Sequence, residues 1–228
     1  MTFRFSRSRS AVTFEAARGQ LSLATSRQAK AKRLIDLLIT IPSMIALMPL
    51  FLLIMAWVKM DSRGPVFFRQ RRVGQFGKIF LIFKFRTMVV GAEKAGPPLT
   101  IGDDDRITRC GRFLRRYKLD ELPQLFNVLK GEMGLVGPRP EVPRYVALYT
   151  SEQRRVIELL PGVTSPSSIA FCQESDLLAC PADPERAYVE EVMPEKIRRE
   201  LEYAAKATIW SDFLVLLKTF SRILTSER

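Results

Sequence analysis

The sequence predicts a mostly helical α+β protein with one small β-hairpin and one membrane-embedded helix. Three patterns carry that prediction. An uncharged run of 22 residues, Leu37 to Val58, lies between strongly basic segments. Two short alternating segments follow it around a glycine-containing connector. Beyond them, apolar residues recur at helical spacing almost to the C-terminus.

Residues 1–31 are a basic tail, rich in Arg and Ser toward its start (Arg7-Ser8-Arg9-Ser10), and are expected to be disordered. Residues 32–60 are the membrane segment. As a straight helix, Leu37–Val58 would be about 33 Å long, enough to cross a bilayer. Pro42 and Pro49 interrupt it, and an interior proline removes a backbone hydrogen bond and kinks a helix. The net charge is +6 over residues 1–36, zero over 37–58, +7 over 59–90 and −1 over 91–228. Basic flanks tend to stay cytoplasmic, so both ends of the run belong on one side. A helix bent at Pro49 and returning to its own face satisfies both observations; a straight spanning helix satisfies the length alone. The run lies far from the N-terminus and has no small-residue cleavage site, which argues against a signal peptide.

Residues 61–228 are the cytoplasmic domain. Val66–Arg72 and Lys78–Arg86 read as strands joined by Val73-Gly74-Gln75-Phe76-Gly77, and alternation puts Lys84 and Arg86 on one face. Gly91–Gly102, with Pro97-Pro98, is a loop. Arg106–Arg116 reads as a helix, and the next is expected to start near Leu119 and stop at Gly131. Residues 161–181 look like a loop. Asp183-Pro184 is an N-cap followed by proline at the first helical position. Two helices follow, separated at Pro194. A last helix starts near Ser211-Asp212 with the stripe Trp210, Phe213, Leu214, Leu217, Phe220 and Leu224. Core packing is the ordinary explanation of such a stripe, and a membrane interface is the alternative.

Composition narrows the chemistry. The chain has no His, which excludes a Ser-His-Asp triad, imidazole acid–base catalysis and His-ligated metal. Cys110, Cys172 and Cys180 are odd in number and lack metal-ligand spacing, so they read as reduced cytosolic thiols. The net charge of +12 first suggests nucleic acid, but all the excess flanks the apolar run. Anionic membrane lipids are the better partner, with phosphorylated substrates as a second reason for basic groups.

In Lys118-Leu119-Asp120-Glu121-Leu122-Pro123 the two acids fall at a helix start, where the dipole favours their ionised forms. An ionised carboxylate there can attack phosphorus or bind Mg²⁺; an acidic pair in a first turn is also a common capping feature. Gly137-Pro138-Arg139-Pro140 fixes the backbone on both sides of one Arg, whose planar fork suits phosphate oxygens. Lys84 and Arg86 are phosphate ligands or a solvated strand face. Asp103-Asp104-Asp105 reads as a cap and loop rather than a metal site.

Taken in order, several strings resemble the bacterial sugar transferase family, in particular its small monotopic polyprenyl-phosphate phosphoglycosyl transferases. They are Phe68-Arg69-Gln70-Arg71-Arg72-Val73-Gly74, Lys84-Phe85-Arg86-Thr87-Met88 and Arg106–Arg115, then Leu119–Gly131, Val136–Glu141 and Pro161–Thr164. The similarity runs from about Lys32 to Leu224. It implies an α+β, mostly helical monotopic membrane protein with a re-entrant helix-break-helix, a small β-hairpin and interfacial amphipathic helices. It implies transfer of a sugar 1-phosphate from a nucleotide diphosphate sugar, expected to be a UDP-sugar, to polyprenyl (undecaprenyl) phosphate. The enzyme would stand on the cytoplasmic face of a bacterial inner membrane and initiate glycoconjugate or exopolysaccharide assembly. Asp120 matches the nucleophile that forms a covalent phosphosugar intermediate, and it also matches a ligand of the Mg²⁺ cofactor. Glu121 matches the second acid. Lys84, Arg115 and Arg139 match positions that hold phosphate oxygens, and Arg86 is grouped with them. The partners implied are donor, acceptor and membrane lipids, with no nucleic acid. The competing reading is a non-catalytic membrane-tethered binding or scaffold protein.

The chain departs from the family pattern in places. Met48 precedes Pro49 where many relatives have a small polar residue. Ser165-Pro166-Ser167-Ser168-Ile169-Ala170-Phe171-Cys172-Gln173 replaces an aromatic-containing segment that is a candidate donor contact. The extra N-terminal membrane helices of long relatives have no counterpart in these residues.

Overall fold

The computed structural model describes residues 26–92, 104–171, 177–178 and 183–225. The Arg/Ser tail, the Pro97-Pro98 loop, Cys172 and Cys180 lie outside them.

Helix α1 (Ser26–Asp61) contains Pro42 and Pro49 and runs through both. Its two ends seat on the same body. At the start, Arg33 donates to the carbonyls of Val128 and Leu129 at 2.5 and 2.9 Å. Lys32 donates to Val136 O at 2.9 Å and pairs with Asp212 at 2.7 Å. At the far end, Phe51, Ile54 and Val58 form a core cluster with Phe85, Cys110 and Leu114. Asp61 Oδ2 accepts from Cys110 N at 3.0 Å. Leu38, Ile41, Ile45, Met48, Leu52 and Leu53 stay exposed between these anchor points.

Strands β1 (Phe67–Val73) and β2 (Ile79–Phe85) form the antiparallel hairpin, each end shifted by one residue from the expected bounds, in register Phe67↔Phe85 to Val73↔Ile79. Alternation sends Phe80 and Ile82 into a core with Val128, Met133 and Leu135. The second edge of β2 is closed by one side chain. Asn127 Oδ1 accepts from Phe83 N at 3.0 Å, and its Nδ2 donates to Leu81 O at 2.8 Å. A carboxamide thus supplies the bonds a third strand would make.

Helix α2 (Arg109–Arg116) is capped by Thr108, whose hydroxyl accepts from Gly111 N at 3.0 Å. A side chain at Gly111 would stand 2.0 Å from Thr87 O, so only glycine lets α2 lie on that strand end. Lys118 then turns the chain with a left-handed φ of 55° into a 3₁₀ turn, Leu119–Glu121. The regular helix α3 (Gln124–Lys130) starts after Pro123, not at Leu119 as expected. Its stop at Gly131 is as expected.

The stretch 161–181 is not all loop. It contains β4 (Gly162–Thr164), which pairs in parallel with β3 (Gly134–Val136), and the short helix α5 (Pro166–Ala170). These strands are three residues long, too short for alternation to register. Residues 143–158 fold as α4 (Pro143–Val146) and a 3₁₀ segment, Gln153–Glu158. Asp183 caps α6 (Pro184–Ala187) by accepting from Arg186 N. The chain does not break at Pro194. A π-type turn, Tyr188–Val192, leads directly into α7 (Met193–Ala204), where Pro194 occupies the first turn and needs no N–H partner.

Helix α8 (Ile209–Thr225) reverses the core-packing expectation. Trp210 and Phe220 are 67% and 65% exposed, and Phe213, Leu214 and Leu217 are exposed beside them. The helix docks instead through Val215, Leu216, the Lys32–Asp212 pair and a Thr164–Thr219 hydroxyl contact of 2.7 Å.

Candidate active site

Five of the six residues singled out from sequence converge around the 3₁₀ turn. Lys84 arrives from β2, Asp120 and Glu121 from the turn, Arg115 from the last turn of α2, and Arg139 from the Pro138–Pro140 segment. Glu121 is the hub. Its Oε1 accepts from Lys84 Nζ at 2.7 Å and from Arg139 NH2 at 2.5 Å, while Oε2 accepts from Arg139 NH1 at 3.1 Å. Burial works to raise the pKa of Glu121. The charges and hydrogen bonds of Arg139 and Lys84 outweigh it and hold the carboxyl well below the usual range. Lys84 is pulled the other way: burial lowers its pKa, and Glu121 opposes the loss of its proton. The ion pair is formed, since Lys84 and Arg139 place three charge-assisted bonds on one carboxylate.

Asp120 differs from its neighbour. It is 7% exposed and its Oδ1 has no hydrogen-bond partner. Burial, reinforced by the adjacent Glu121 charge, pushes its pKa above the ordinary carboxylate range, against Lys84, Arg115 and Lys118. This corrects the expectation that a helix dipole favours the ionised form of both acids. The helix begins only at Gln124, and for Asp120 desolvation dominates. The two acids therefore divide into a paired anion and an uncommitted carboxyl.

Arg115 is placed by α2. Its Nε donates to Thr87 Oγ1 at 2.8 Å, and its charge bears on Asp120. Arg139 is held by its backbone. Gly162 N donates to Pro138 O at 3.0 Å, and Gly137 N to Thr164 O at 3.0 Å. A side chain at Gly162 would stand 2.1 Å from Gly137 N, so β4 presses directly on this segment. Arg72 buttresses the other side, donating to Pro140 O at 2.9 Å and Glu141 Oε1 at 3.3 Å. Sequence reasoning missed this support by Arg72 and Gly162, although both lie within the quoted motifs.

Arg86 is not brought to the centre. Its NH2 donates to Ser62 O at 2.6 Å and Ser62 Oγ at 2.8 Å, so it caps the C-terminal end of α1. The strand ends at Phe85, and the alternation that would have kept Lys84 and Arg86 on one face ends with it. Cys110 is fully buried and burial pushes its thiol up to about 11, which leaves it inert as a nucleophile.

Among the described residues no group of three Asp, Glu, Cys or His side chains forms a metal site. Mg²⁺ does not require one. It keeps several waters and is commonly bound through one or two carboxylates together with substrate phosphates. Asp120, an oxygen ligand not already committed to a cation, fits that donor set; Glu121 is taken by Lys84 and Arg139. The constellation as a whole suits a phosphorylated substrate: a largely buried Lys84 and a half-buried Arg139 held in advance by Glu121, a third cation at Arg115, and one carboxyl able to attack.

Comparison with known proteins identifies the family. The model of the family described as bacterial sugar transferase matches residues 27–226. A UDP-N-acetylgalactosamine-undecaprenyl-phosphate N-acetylgalactosaminephosphotransferase of Aeromonas hydrophila is 35% identical over 199 residues, covering 85% of this chain and 44% of that protein. A UDP-glucose:undecaprenyl-phosphate glucose-1-phosphate transferase of Xanthomonas campestris pv. campestris is 38% identical over 201 residues, covering 85% and 39%. One with the same name from Caulobacter vibrioides is 33% identical over 201 residues, covering 86% and 70%. The chain thus spans 44% and 39% of the lengths of the Aeromonas and Xanthomonas proteins. With a family match over nearly its whole length and relatives above 30% identity, the chain belongs to the bacterial sugar transferase family.

Proposed function

We propose that this chain transfers a sugar 1-phosphate from a UDP-sugar to undecaprenyl phosphate through a covalent aspartyl-phosphosugar, at the cytoplasmic face of a bacterial inner membrane. The observation that carries the proposal is the division of labour between Asp120 and Glu121: one carboxyl buried and uncommitted, the other clamped by Lys84 and Arg139. The names of the relatives support the donor and acceptor classes, a UDP-sugar and undecaprenyl phosphate.

In the first step a carboxylate oxygen of Asp120 attacks the sugar-bearing phosphorus. The bridging P–O bond breaks and its electron pair leaves on uridine monophosphate. In the second step a phosphate oxygen of the acceptor attacks the same phosphorus, the Asp120–phosphorus bond breaks, and the carboxylate is restored with undecaprenyl diphosphate sugar as product. Both leaving groups depart as anions, so no protein proton donor is required. That suits a site without His. Lys84, Arg115 and Arg139 offset the repulsion between the carboxylate and the diphosphate. Mg²⁺, held by Asp120 when bound, would add neutralisation of phosphate charge.

We place the membrane segment in a re-entrant arrangement. Arg33 and Phe51 are about 27 Å apart along a straight helix. Both reach α3, Arg33 through Val128 O and Leu129 O, Phe51 through an edge contact with Phe126. That helix is itself about 10 Å long, which favours a bend at the prolines. The exposed apolar face of α8 then lies in the interface as a second anchor.

The test is to incubate purified protein and its Asp120→Asn variant with UDP-glucose or UDP-N-acetylgalactosamine, undecaprenyl phosphate and Mg²⁺. Parent protein releases uridine monophosphate. The variant stays folded and membrane-bound and releases none; product formation by Asp120→Asn near the parent level would exclude the aspartyl mechanism. No release by the parent with any UDP-sugar would favour the scaffold reading.

A further inference from the structure

Two buried side chains at the centre carry complementary unmet hydrogen-bonding groups. Asp120 Oδ1 is an acceptor sealed from solvent without a partner, and Gln124 Nε2 is a donor in the same condition. Gln124 is 1% exposed, one of the most completely enclosed polar residues in the fold. The contrast with Asn127 is informative. That neighbouring carboxamide spends its groups on Phe83 N, Leu81 O and Glu132, and so has an evident task in holding the hairpin. The Gln124 amide nitrogen has no such task, and sealed donors without acceptors are rare in folded proteins.

Backbone geometry brings the two together. Asp120 lies in the 3₁₀ turn, Leu122 and Pro123 continue with helical dihedrals, and Gln124 opens α3. Only this short turn separates them, a rise of about 6–8 Å over four residues. The two atoms are not bonded to each other in the structure, and one enclosed water or a rotation of the Gln124 side chain closes that span.

We propose that Gln124 is the positioning residue of the nucleophile, donating from Nε2 to Asp120 Oδ1 so that Oδ2 is the oxygen presented to phosphorus. The assignment rests on the reading of Asp120 as nucleophile. A neutral donor suits the task. Lys or Arg in its place would pair with the carboxylate and blunt its attack, whereas an amide fixes the orientation and leaves the negative charge on Asp120. Of the cations that bear on Asp120, Lys84 is meanwhile retained by Glu121, and Arg115 donates to Thr87 Oγ1.

The first half-reaction alone tests this, as exchange of labelled uridine monophosphate into the UDP-sugar the parent uses, with the full chain in lipid nanodiscs. Gln124→Met keeps length and removes the donor. It is expected to lower the maximal exchange rate about 10- to 100-fold, the worth of a hydrogen bond to a charged group, with the donor KM within about threefold of the parent. Gln124→Glu keeps shape but replaces the donor by an acceptor and should lose at least as much; it decides the matter if Gln124→Met fails to fold. Both variants exchanging within about twofold of the parent would overturn the assignment. So would a loss confined to donor KM and melting temperature, which is what a merely structural role predicts. Asp120→Asn run alongside separates the two ideas. If it abolishes exchange while the Gln124 variants do not, only the positioning role falls; if it exchanges normally, the nucleophile assignment falls first.

Discussion

Replacing Glu121 by Gln removes the anion shared by Lys84 and Arg139 while preserving shape. The side chains of Lys84 and Glu121 are 16% and 15% exposed, so the lysine would be left largely desolvated and unpaired. Breaking a buried pair by removing one partner costs about 3–5 kcal/mol. The lower end applies, because the Arg139 side chain is 34% exposed and still has water within reach. For a protein of this size about 3 kcal/mol lowers the melting temperature by roughly 6–12 °C. Near-ultraviolet circular dichroism of detergent-solubilised protein at pH 7 measures it. The sign of the pH effect follows from the depressed Glu121 pKa. Its stabilisation is complete above the ordinary value of 4.5 and is lost as pH falls through the lowered one, so the gap between parent and variant closes on the acid side. Adding Lys84→Met to Glu121→Gln should restore part of the loss, since no buried cation is left behind. A Glu121→Gln protein melting within about 2 °C of the parent, or a double variant less stable by the full sum of its parts, would refute the clasp as a structural unit.

Three further outcomes follow from the same geometry. Arg139→Ala should lower turnover by about one to two decades, whereas Arg144→Ala, whose residue pairs with Glu185 at the surface, should stay within about twofold; equal kinetics would remove Arg139 from the site. Reporter cysteines near Ser26 and Ser62, in a background lacking native Cys, should both label only in opened cells; labelling of either from outside would make α1 a spanning helix. With Trp57 replaced by Phe, brominated lipids in vesicles should quench Trp210, and an unquenched Trp210 would place α8 away from the bilayer.

Much of the architecture was legible where a pattern repeats. The hairpin, α2, the Gly131 stop and the Asp183 cap each rest on local periodicity or turn chemistry, and each stands within about three residues of its expected place. Long-range packing was not legible. The stripe of α8 has the same spacing whether it faces a core or a bilayer, and the contacts of Asp212, Val215, Leu216 and Thr219 across the fold reveal that the other side docks. Lys84 and Arg86 show the limit at the site. Alternation holds while the strand lasts, and Arg86 lies one residue past its end. The unequal states of Asp120 and Glu121 were likewise invisible in adjacent letters, since they arise from which carboxylate meets Lys84 and Arg139 across the fold.

The double seating of α1 bears on how the protein is made. Phe51, Ile54 and Val58 are among the residues around which Phe85 and Leu114 close, and Arg33 satisfies the last carbonyls of α3. The end of the helix from Phe51 to Val58 is therefore part of the domain core, and the helix is not a detachable handle. A chain beginning after Asp61 would open an apolar face where those three residues belong, so removing the segment for solubility should yield aggregate rather than a free enzyme. Synthesis meets the same constraint in reverse order. The helix leaves the ribosome before its packing partners do, and in the re-entrant arrangement proposed above the following chain condenses upon a segment the bilayer already holds.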